Sequence, residues 1–207
     1  MFFKDSEIEE LRKQVESRLS QKRFLHTEGV ESLATELGKR IIPDNVSELR
    51  CAALLHDIAK ELPQDVLLSY MKRSGIEYSD EDIASKSLHH AFSAPVVIIE
   101  SFPKYASHNM LSAVFKHTTG DISMSVFDEI IFVADFAESG RTYEACKEIR
   151  RVLDERMLLA RNCKEATTAL HLTMIDTLDA VMNTLNRLGE TVNRRTIFTR
   201  NSFISKI

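Results

Sequence analysis

The chain has 207 residues, of which 43% are hydrophobic and 28% charged, as is typical of an ordinary globular protein. A single domain of this length buries roughly 70% of its unfolded surface and needs no disulfide to fold. The net charge is −4 and no basic run stands out, which argues against a nucleic-acid partner. No apolar stretch has the length that spans a membrane, so a membrane protein is not expected either.

The three cysteines, Cys51, Cys146 and Cys163, are odd in number and widely spaced, and the sequence has no CxxC pair. This pattern indicates packed thiols in a reducing compartment. The first ten residues turn acidic early and lack the charged start and apolar run of a signal peptide. We therefore expect a cytoplasmic location.

The first two predicted helices carry one histidine of interest. Only 6 glycines and 4 prolines are available to break helices, and apolar residues recur at helical spacing over residues 6–21 and again to about residue 40. Ser6 and Glu9 predict a capping box for the first helix. His26 is expected in the first turn of the second, and Gly29 leaves room there for a close backbone approach or a ligand. A lone histidine at a helix start is either a surface or capping residue or a ligand.

The central stretch is predicted to be a helix from residue 43 to near residue 63. It is apolar nearly all round, which is typical of a helix buried on several sides. It nevertheless carries His56, Asp57 and Lys60, and a buried carboxylate is costly unless it is paired or binds a metal. Imidazole, carboxylate and ammonium together suit a metal and a phosphate. The alternative is a helix end with an exposed His-Asp pair and a solvated lysine.

Two adjacent histidines open a later helix. Helices are predicted at 64–73 and 80–86, and the apolar pattern after His89 and His90 continues to about residue 99. Neighbouring side chains diverge around a helix, so we expect only one of these histidines at any one site.

A further histidine, His117, ends a helix predicted over residues 107–116. It is followed by Thr118, Thr119 and Gly120, a turn suited to contacts with phosphate. The alternative is a histidine placed favourably against the helix dipole, with the glycine as C-cap.

The helix predicted over residues 125–136 is strongly apolar, yet it contains Asp135, which repeats the pattern of Asp57. Glu138 and Arg141 follow it. The arginine could meet a phosphate and the glutamate could orient a ligand or a water. Equally, the two could pair with each other on the surface.

The rest of the chain is predicted to form two long amphipathic helices, 143–162 and 166–188, and a last helix with a basic face at 193–203. The long helices indicate core packing, and they could also serve a homodimer. With no internal repeat and no linker, the fold class is expected to be all-α in a single domain.

The candidate residues form an ordered set. Mixed imidazole and carboxylate ligands suit iron, manganese or zinc. The order H…HD…H…H…D along a helical chain resembles the HD-domain phosphohydrolase superfamily. From about residue 20 to the end, the sequence further resembles the YqeK family of symmetrical bis(5'-nucleosyl)-tetraphosphatases. The motifs that carry this resemblance are RFLHTEGV (23–30), HDIAKEL (56–62), LH (88–89), HTTG (117–120), ADFAE (134–138) and TIFTRN (196–201).

The resemblance implies an HD-domain helical bundle with long C-terminal helices. We expect residues 1–207 to form one domain, with an HD core at about 20–140 and C-terminal helices at about 141–207. The resemblance also implies a pair of metals, expected to be iron, with manganese or zinc as alternatives. One metal would be held by His26, His56, Asp57 and Asp135. The other would be held by His89 and His117, with Asp57 as the bridge and His90 as a substitute for His89.

Two positions depart from the family pattern. The family usually has Gly-Pro after the histidine that matches His89, where this chain has His90-Ala91. It usually has a proline where Ser139 stands. Neither change removes an expected ligand, but both are expected to alter the shape of the substrate pocket.

The function implied by the resemblance is symmetrical hydrolysis of a dinucleoside polyphosphate, so that diadenosine tetraphosphate and water give two ADP. A metal-bound hydroxide would attack an inner phosphorus. Asp57 and Lys60 are the expected catalytic residues. The expected substrate contacts are Lys60, Thr118, Thr119, Glu138 and Arg141.

Two other functions fit the same residues. One is another HD phosphohydrolase, acting on nucleoside monophosphates or guanosine alarmones. The other is a non-catalytic sensor that binds metal and nucleotide. The products distinguish them: two diphosphates, some other nucleotide, or none.

Overall fold

The computed structural model describes residues 2–205, which contain eleven α-helices and no strand, and this confirms the all-α prediction. No helix within this range is both long and apolar enough to cross a membrane. Short 3₁₀ turns occur at Pro43–Asn45, Lys86–Leu88 and Pro103–Tyr105. The α-helices are α1 (Asp5–Glu16), α2 (Gln21–Ile41), α3 (Val46–Leu55), α4 (Gln64–Arg73), α5 (Asp80–Ala84), α6 (His89–Ser101), α7 (His108–Lys116), α8 (Val126–Ala137), α9 (Glu144–Leu159), α10 (Cys163–Leu188) and α11 (Arg194–Ile204).

The start of α1 differs from the prediction. The expected capping box of Ser6 and Glu9 is wrong, because the helix begins at Asp5 and the backbone N–H of Lys4 donates to Glu7 Oε2 at 2.8 Å. The helix also ends at Glu16 rather than near residue 21. The chain then turns, and the Ser20 side chain accepts a hydrogen bond from the backbone of α2.

The central helix is shorter than predicted, since α3 ends at Leu55 and residues 56–62 form successive turns. Backbone bonds there join residues three apart, from Ile58 N–H to Leu55 O and from Lys60 N–H to Asp57 O. This winding is tighter than that of an α-helix, and it begins with His56 and Asp57. Both side chains are buried.

One hydrophobic core runs through the molecule, and α8 lies at its centre. This helix is buried along most of its length and packs against α2, α7 and α10. The helix α2 packs in turn against α3. The C-terminal end of α8, the end of α3, the end of α7 and the start of α6 are thereby brought together near the first turns of α2.

The C-terminal helices pack over the helices that precede them. The long helix α10 packs against α8, α9 and α11. Gly120, in the turn after α7, has φ +66°, and a Cβ there would lie 2.6 Å from Thr199 Cγ2 of α11. Glycine therefore allows both the left-handed backbone and the close approach of α11 to the turn that follows His117.

Candidate metal centre

Imidazoles and carboxylates from five parts of the fold meet at one buried place. They form two groups, each with donor atoms within 4.8 Å of one another. The first group is His26, His56 and Asp135, and the second is Asp57, His90 and His117. His26 lies in the second turn of α2 rather than the expected first turn, because that helix begins at Gln21.

The first group surrounds the Asp135 carboxylate. His26 Nε2 lies 2.9 Å from Asp135 Oδ1, and His56 Nε2 lies 3.8 Å from the same oxygen. These distances place two ring nitrogens and one carboxylate oxygen around a space between α2, α3 and α8.

The second group is joined to the first through Asp57. Its Oδ1 lies 3.2 Å from His90 Nε2 and 3.5 Å from His117 Nε2, and these two nitrogens are 3.2 Å apart. Its Oδ2 lies 3.6 Å from His56 Nε2 and 4.0 Å from His26 Nε2. One carboxylate therefore faces both groups.

Backbone contacts fix how two of the imidazoles present their nitrogens. His56 Nδ1 lies 2.7 Å from Ala53 O, and His117 Nδ1 lies 2.6 Å from Val114 O. A carbonyl oxygen only accepts, so each Nδ1 carries the proton and each Nε2 of a neutral ring turns a lone pair to the centre. His56 Nε2 is buried and has no hydrogen-bond partner among the described residues. Lone pairs that face carboxylates repel unless a cation lies between them, so the donor set fits a bound metal.

His26 is oriented by a buried carboxylate. Glu138 Oε1 accepts from His26 Nδ1 at 3.1 Å, and Glu138 Oε2 accepts from the backbone N–H of Gly140. Gly29 makes room for this contact, since a Cβ there would lie 2.3 Å from Glu138 Oε2. A metal-binding histidine commonly donates its second nitrogen to such a carboxylate. Glu138 thus contacts a ring of the first group.

Burial and charge set the protonation of the centre. Burial lowers the pKa of both His56 and His90 to about 4, so both rings are neutral at pH 7. Burial alone would raise the pKa of Asp135, but the hydrogen bond from His26 and the charge of Arg141 hold it well below its usual range. Burial opposes the protonation of His26, yet hydrogen bonds to Asp135 and Glu138 raise its pKa overall. The neutral rings of His56 and His90 and the ionised carboxylate of Asp135 are the forms in which such groups bind metals.

The two adjacent histidines of α6 separate, as expected, but the one that faces the centre is His90. His89 points away, with Nδ1 2.9 Å from Gln64 Oε1 and Nε2 2.9 Å from Ile83 O. The reason is the phase of α6, which turns successive side chains about 100° apart. The structure therefore brings His90, and not His89, to Asp57 and His117.

Three cations border the centre. Lys60 Nζ lies 3.1 Å from His90 Nε2, and burial lowers the pKa of this lysine. Arg141 Nη2 contacts Asp135 Oδ1 at 2.7 Å, and Arg23 Nη1 contacts Asp57 Oδ2 at 2.7 Å. Sequence reasoning missed Arg23, although it stands three residues before His26 and so shares its side of α2.

The two threonines after His117 differ. Thr119 Oγ1 donates to the carbonyl of Gly120 at 3.0 Å, so that hydroxyl is used within the turn. Thr118 Oγ1 is buried and has no partner among the described residues. Of the two, Thr118 therefore has the hydroxyl that is free for a ligand.

An all-helical domain with imidazoles and carboxylates gathered in this way has the architecture of a metal-dependent hydrolase. The sequence profile of the HD domain matches residues 23–140, more than half of the chain. The chain therefore belongs to the HD-domain family, and it carries an HD hydrolase domain.

Relatives and a solved structure agree with this assignment. The chain is 26% identical to the symmetrical bis(5'-nucleosyl)-tetraphosphatase of Bacillus subtilis over 196 residues, which cover 92% of this chain and 94% of the relative. It is 27% identical to the protein of that name from Staphylococcus aureus over 143 residues, 69% of this chain and 72% of the relative. A crystal structure from Clostridium acetobutylicum, described as a predicted HD superfamily hydrolase involved in NAD metabolism, matches with a TM-score of 0.81 at 27% identity. The match covers 96% of this chain and 97% of that chain.

Proposed function

We propose that this HD-domain hydrolase cleaves dinucleoside tetraphosphates symmetrically, so that diadenosine tetraphosphate and water give two ADP. The observation that carries the proposal is the Asp57 carboxylate, which faces two groups of buried imidazoles. The shared name of the relatives from Bacillus subtilis and Staphylococcus aureus supports the choice of substrate.

The ligand set follows the two groups. His26, His56, Asp57 and Asp135 would hold one metal, and His90 and His117 would hold the other, with the Asp57 carboxylate available to both. Iron is our first choice for both, and manganese and zinc suit the same donors. When bound, such a pair supplies Lewis acidity to phosphoryl oxygens and lowers the pKa of water.

The side chains around the centre bind and orient the phosphates. Lys60 offsets negative charge on the phosphate nearest His90. The free hydroxyl of Thr118 donates a hydrogen bond to a phosphate oxygen of the substrate. Arg141 keeps the Asp135 carboxylate in place and lies where a phosphate approaches. Positioning and charge stabilisation of this kind supply most of the catalysis of phosphoryl transfer.

Symmetrical cleavage sets the point of attack. The oxygen of water adds to one inner phosphorus, and the bond from that phosphorus to the central bridging oxygen breaks. One nucleoside diphosphate leaves with the bridging oxygen, and the other carries the oxygen from water.

The bridge is tested by Asp57→Ala. We expect this variant to lose metal loading and turnover while its circular dichroism stays helical, because the substitution removes the carboxylate common to both groups. Metal content per chain and ADP release are the measurements. A fully active Asp57→Ala enzyme contradicts the proposal, and nucleotide binding by the wild type without any product favours a sensor instead.

The proposed setting is the cytoplasm. Cys51 and Cys146 are buried and Cys163 is exposed, and all three are free thiols. Free thiols persist in reducing compartments, which supports this location.

A further inference from the structure

A groove leads away from the metal centre between the start of α2 and the turn that precedes α9. It encloses about 610 Å³. His26 and Glu138 line its inner, less exposed part. Lys22 and Tyr143, which are both exposed, line its outer part. The groove therefore joins the candidate centre to solvent.

The charge of the groove suits a polyphosphate. Arg23 and Arg141 line it, and each also contacts a carboxylate of the centre. The ammonium of Lys22 forms no ion pair with any described residue. The carboxylate of Glu138 already accepts hydrogen bonds from His26 Nδ1 and from the backbone N–H of Gly140. The groove thus offers positive charge, and its acidic group is already paired.

An exposed aromatic ring marks the outer part of the groove. Tyr143 is 73% exposed, whereas the other tyrosines, Tyr70, Tyr78 and Tyr105, are partly or fully buried. An adjoining cavity of about 390 Å³ shares Tyr143 with the groove and has Val181 in its wall. The tyrosine therefore stands where a cationic groove meets an apolar cavity.

We propose that Tyr143 stacks on the nucleobase of one nucleoside diphosphate arm of the substrate, whose phosphates run past Lys22 and Arg141 to the centre. The inference rests on the proposed function, because a dinucleoside substrate cut in the middle must extend one arm along the protein surface. An aromatic side chain can stack on any of the nucleobases, since every base has a π-face. The phosphates then lie along the cationic part of the groove, and the flat base lies against Tyr143 at its outer part.

A fluorescence titration tests the stacking without turnover. The chain has no tryptophan, so Tyr143→Trp introduces a single reporter into the holoprotein. We expect ADP to quench its emission and pyrophosphate, which has no base, to leave it nearly unchanged. The matched control is Leu158→Trp, at an 84% exposed position near the far end of α9, roughly 22 Å from the start of that helix beside Tyr143. Absence of ADP quenching in Tyr143→Trp, or equal quenching in both variants, overturns the inference.

Kinetics supply the second measurement. Tyr143→Ala should raise KM for diadenosine tetraphosphate by about tenfold or more with kcat little changed, and Tyr143→Phe should restore the wild-type KM. If the wild type turns the substrate over while Tyr143→Ala keeps its KM and Tyr143→Trp is not quenched, this inference alone fails. If the wild type releases no ADP from the substrate, the proposed function fails, and the ADP titration still decides whether Tyr143 binds a nucleotide.

Discussion

At the scale of the residue, two adjacent histidines at the start of α6 have opposite surroundings. His90 contacts Asp57 and His117, whereas His89 is hydrogen-bonded to the Gln64 side chain and to the carbonyl of Ile83. One ring therefore belongs to the centre, and the other ties α5 and α4 to α6.

A matched pair of variants separates these roles. His90→Ala should lower the bound metal to about half and remove most turnover, because it removes one of the three donors of the second group. His89→Ala should keep the metal and lose roughly 1–2 kcal/mol of stability, because it removes two partly buried hydrogen bonds. Metal analysis and urea unfolding are the measurements. The reverse pattern would restore His89 as the ligand.

How far the sequence predicts the centre can be seen at these positions. The HD pair, His26, His117 and Asp135 are each ambiguous as polar groups beside an apolar helical pattern, and the resemblance to the HD-domain superfamily is what identified them as one set. The resemblance favoured His89 over His90, and the structure instead brings His90 to the centre, because the phase of α6 depends on how it packs against α4 and α7. Arg23 was missed for a similar reason, since its contact with Asp57 joins residues far apart in the chain.

At the scale of the element, α2 approaches the segment after α8 closely enough to exclude a methyl group. Gly29→Ala should displace Glu138 and so weaken metal binding by about 10- to 100-fold through loss of the His26 contact. The helix itself should not suffer, because alanine favours a helix.

The control is Ser32→Ala, at an exposed position of the same helix. Metal titration followed by isothermal calorimetry compares the two variants. Equal affinities in Gly29→Ala, Ser32→Ala and the wild type would show that Glu138 does not position His26.

The short helix α5 is tied to α11 by a buried carboxylate. Asp82 accepts hydrogen bonds from Asn193 at 3.0 Å and from Arg195 Nη2 at 3.2 Å. Burial would raise its pKa, but the hydrogen bonds from Arg195, Asn193 and Ser79 outweigh this and lower it. The interaction joins residues that are 113 positions apart, from Arg195 to Asp82, so no local pattern predicts it.

The lowered pKa gives a pH dependence. The carboxylate of Asp82 stabilises the fold above the ordinary aspartate pKa of about 3.9, and the contribution is lost as the pH falls through the lower folded value. Asp82→Asn should therefore cost roughly 1–3 kcal/mol at pH 7, with a difference from wild type that shrinks below about pH 4. Denaturant unfolding across this range measures it. A constant difference, or an equal loss in the exposed control Asp80→Asn, would contradict the role of the pair.

Some helix boundaries are set by nearby residues and can be predicted from the sequence, whereas others cannot. The bounds of α4, 64–73, agree with the sequence, because Pro63 and Gly75 mark its ends. The end of α3 at Leu55 was not predicted, because the apolar pattern continues through the turns to Leu62. An apolar pattern indicates that residues are buried, and both the helix and the turns after it are buried here. The pattern therefore does not show where the helix ends.

At the scale of the whole molecule, the helices are arranged so that one buried centre opens to solvent along a cationic groove. The centre places negative charge and imidazole lone pairs together, which suits metals, and the groove places positive charge beside it, which suits phosphates. Because the net charge is −4, attraction of the proposed anionic substrate would come from these local charges rather than from the overall field.

The most direct test of the account is anaerobic turnover of diadenosine tetraphosphate by the wild-type protein with added ferrous iron, with products separated by ion-exchange chromatography. We predict ADP as the only nucleotide product, two per substrate consumed, and no turnover after chelation of the metal. ATP and AMP in equal amounts would contradict symmetrical attack, and full activity without metal would contradict the role of the buried centre.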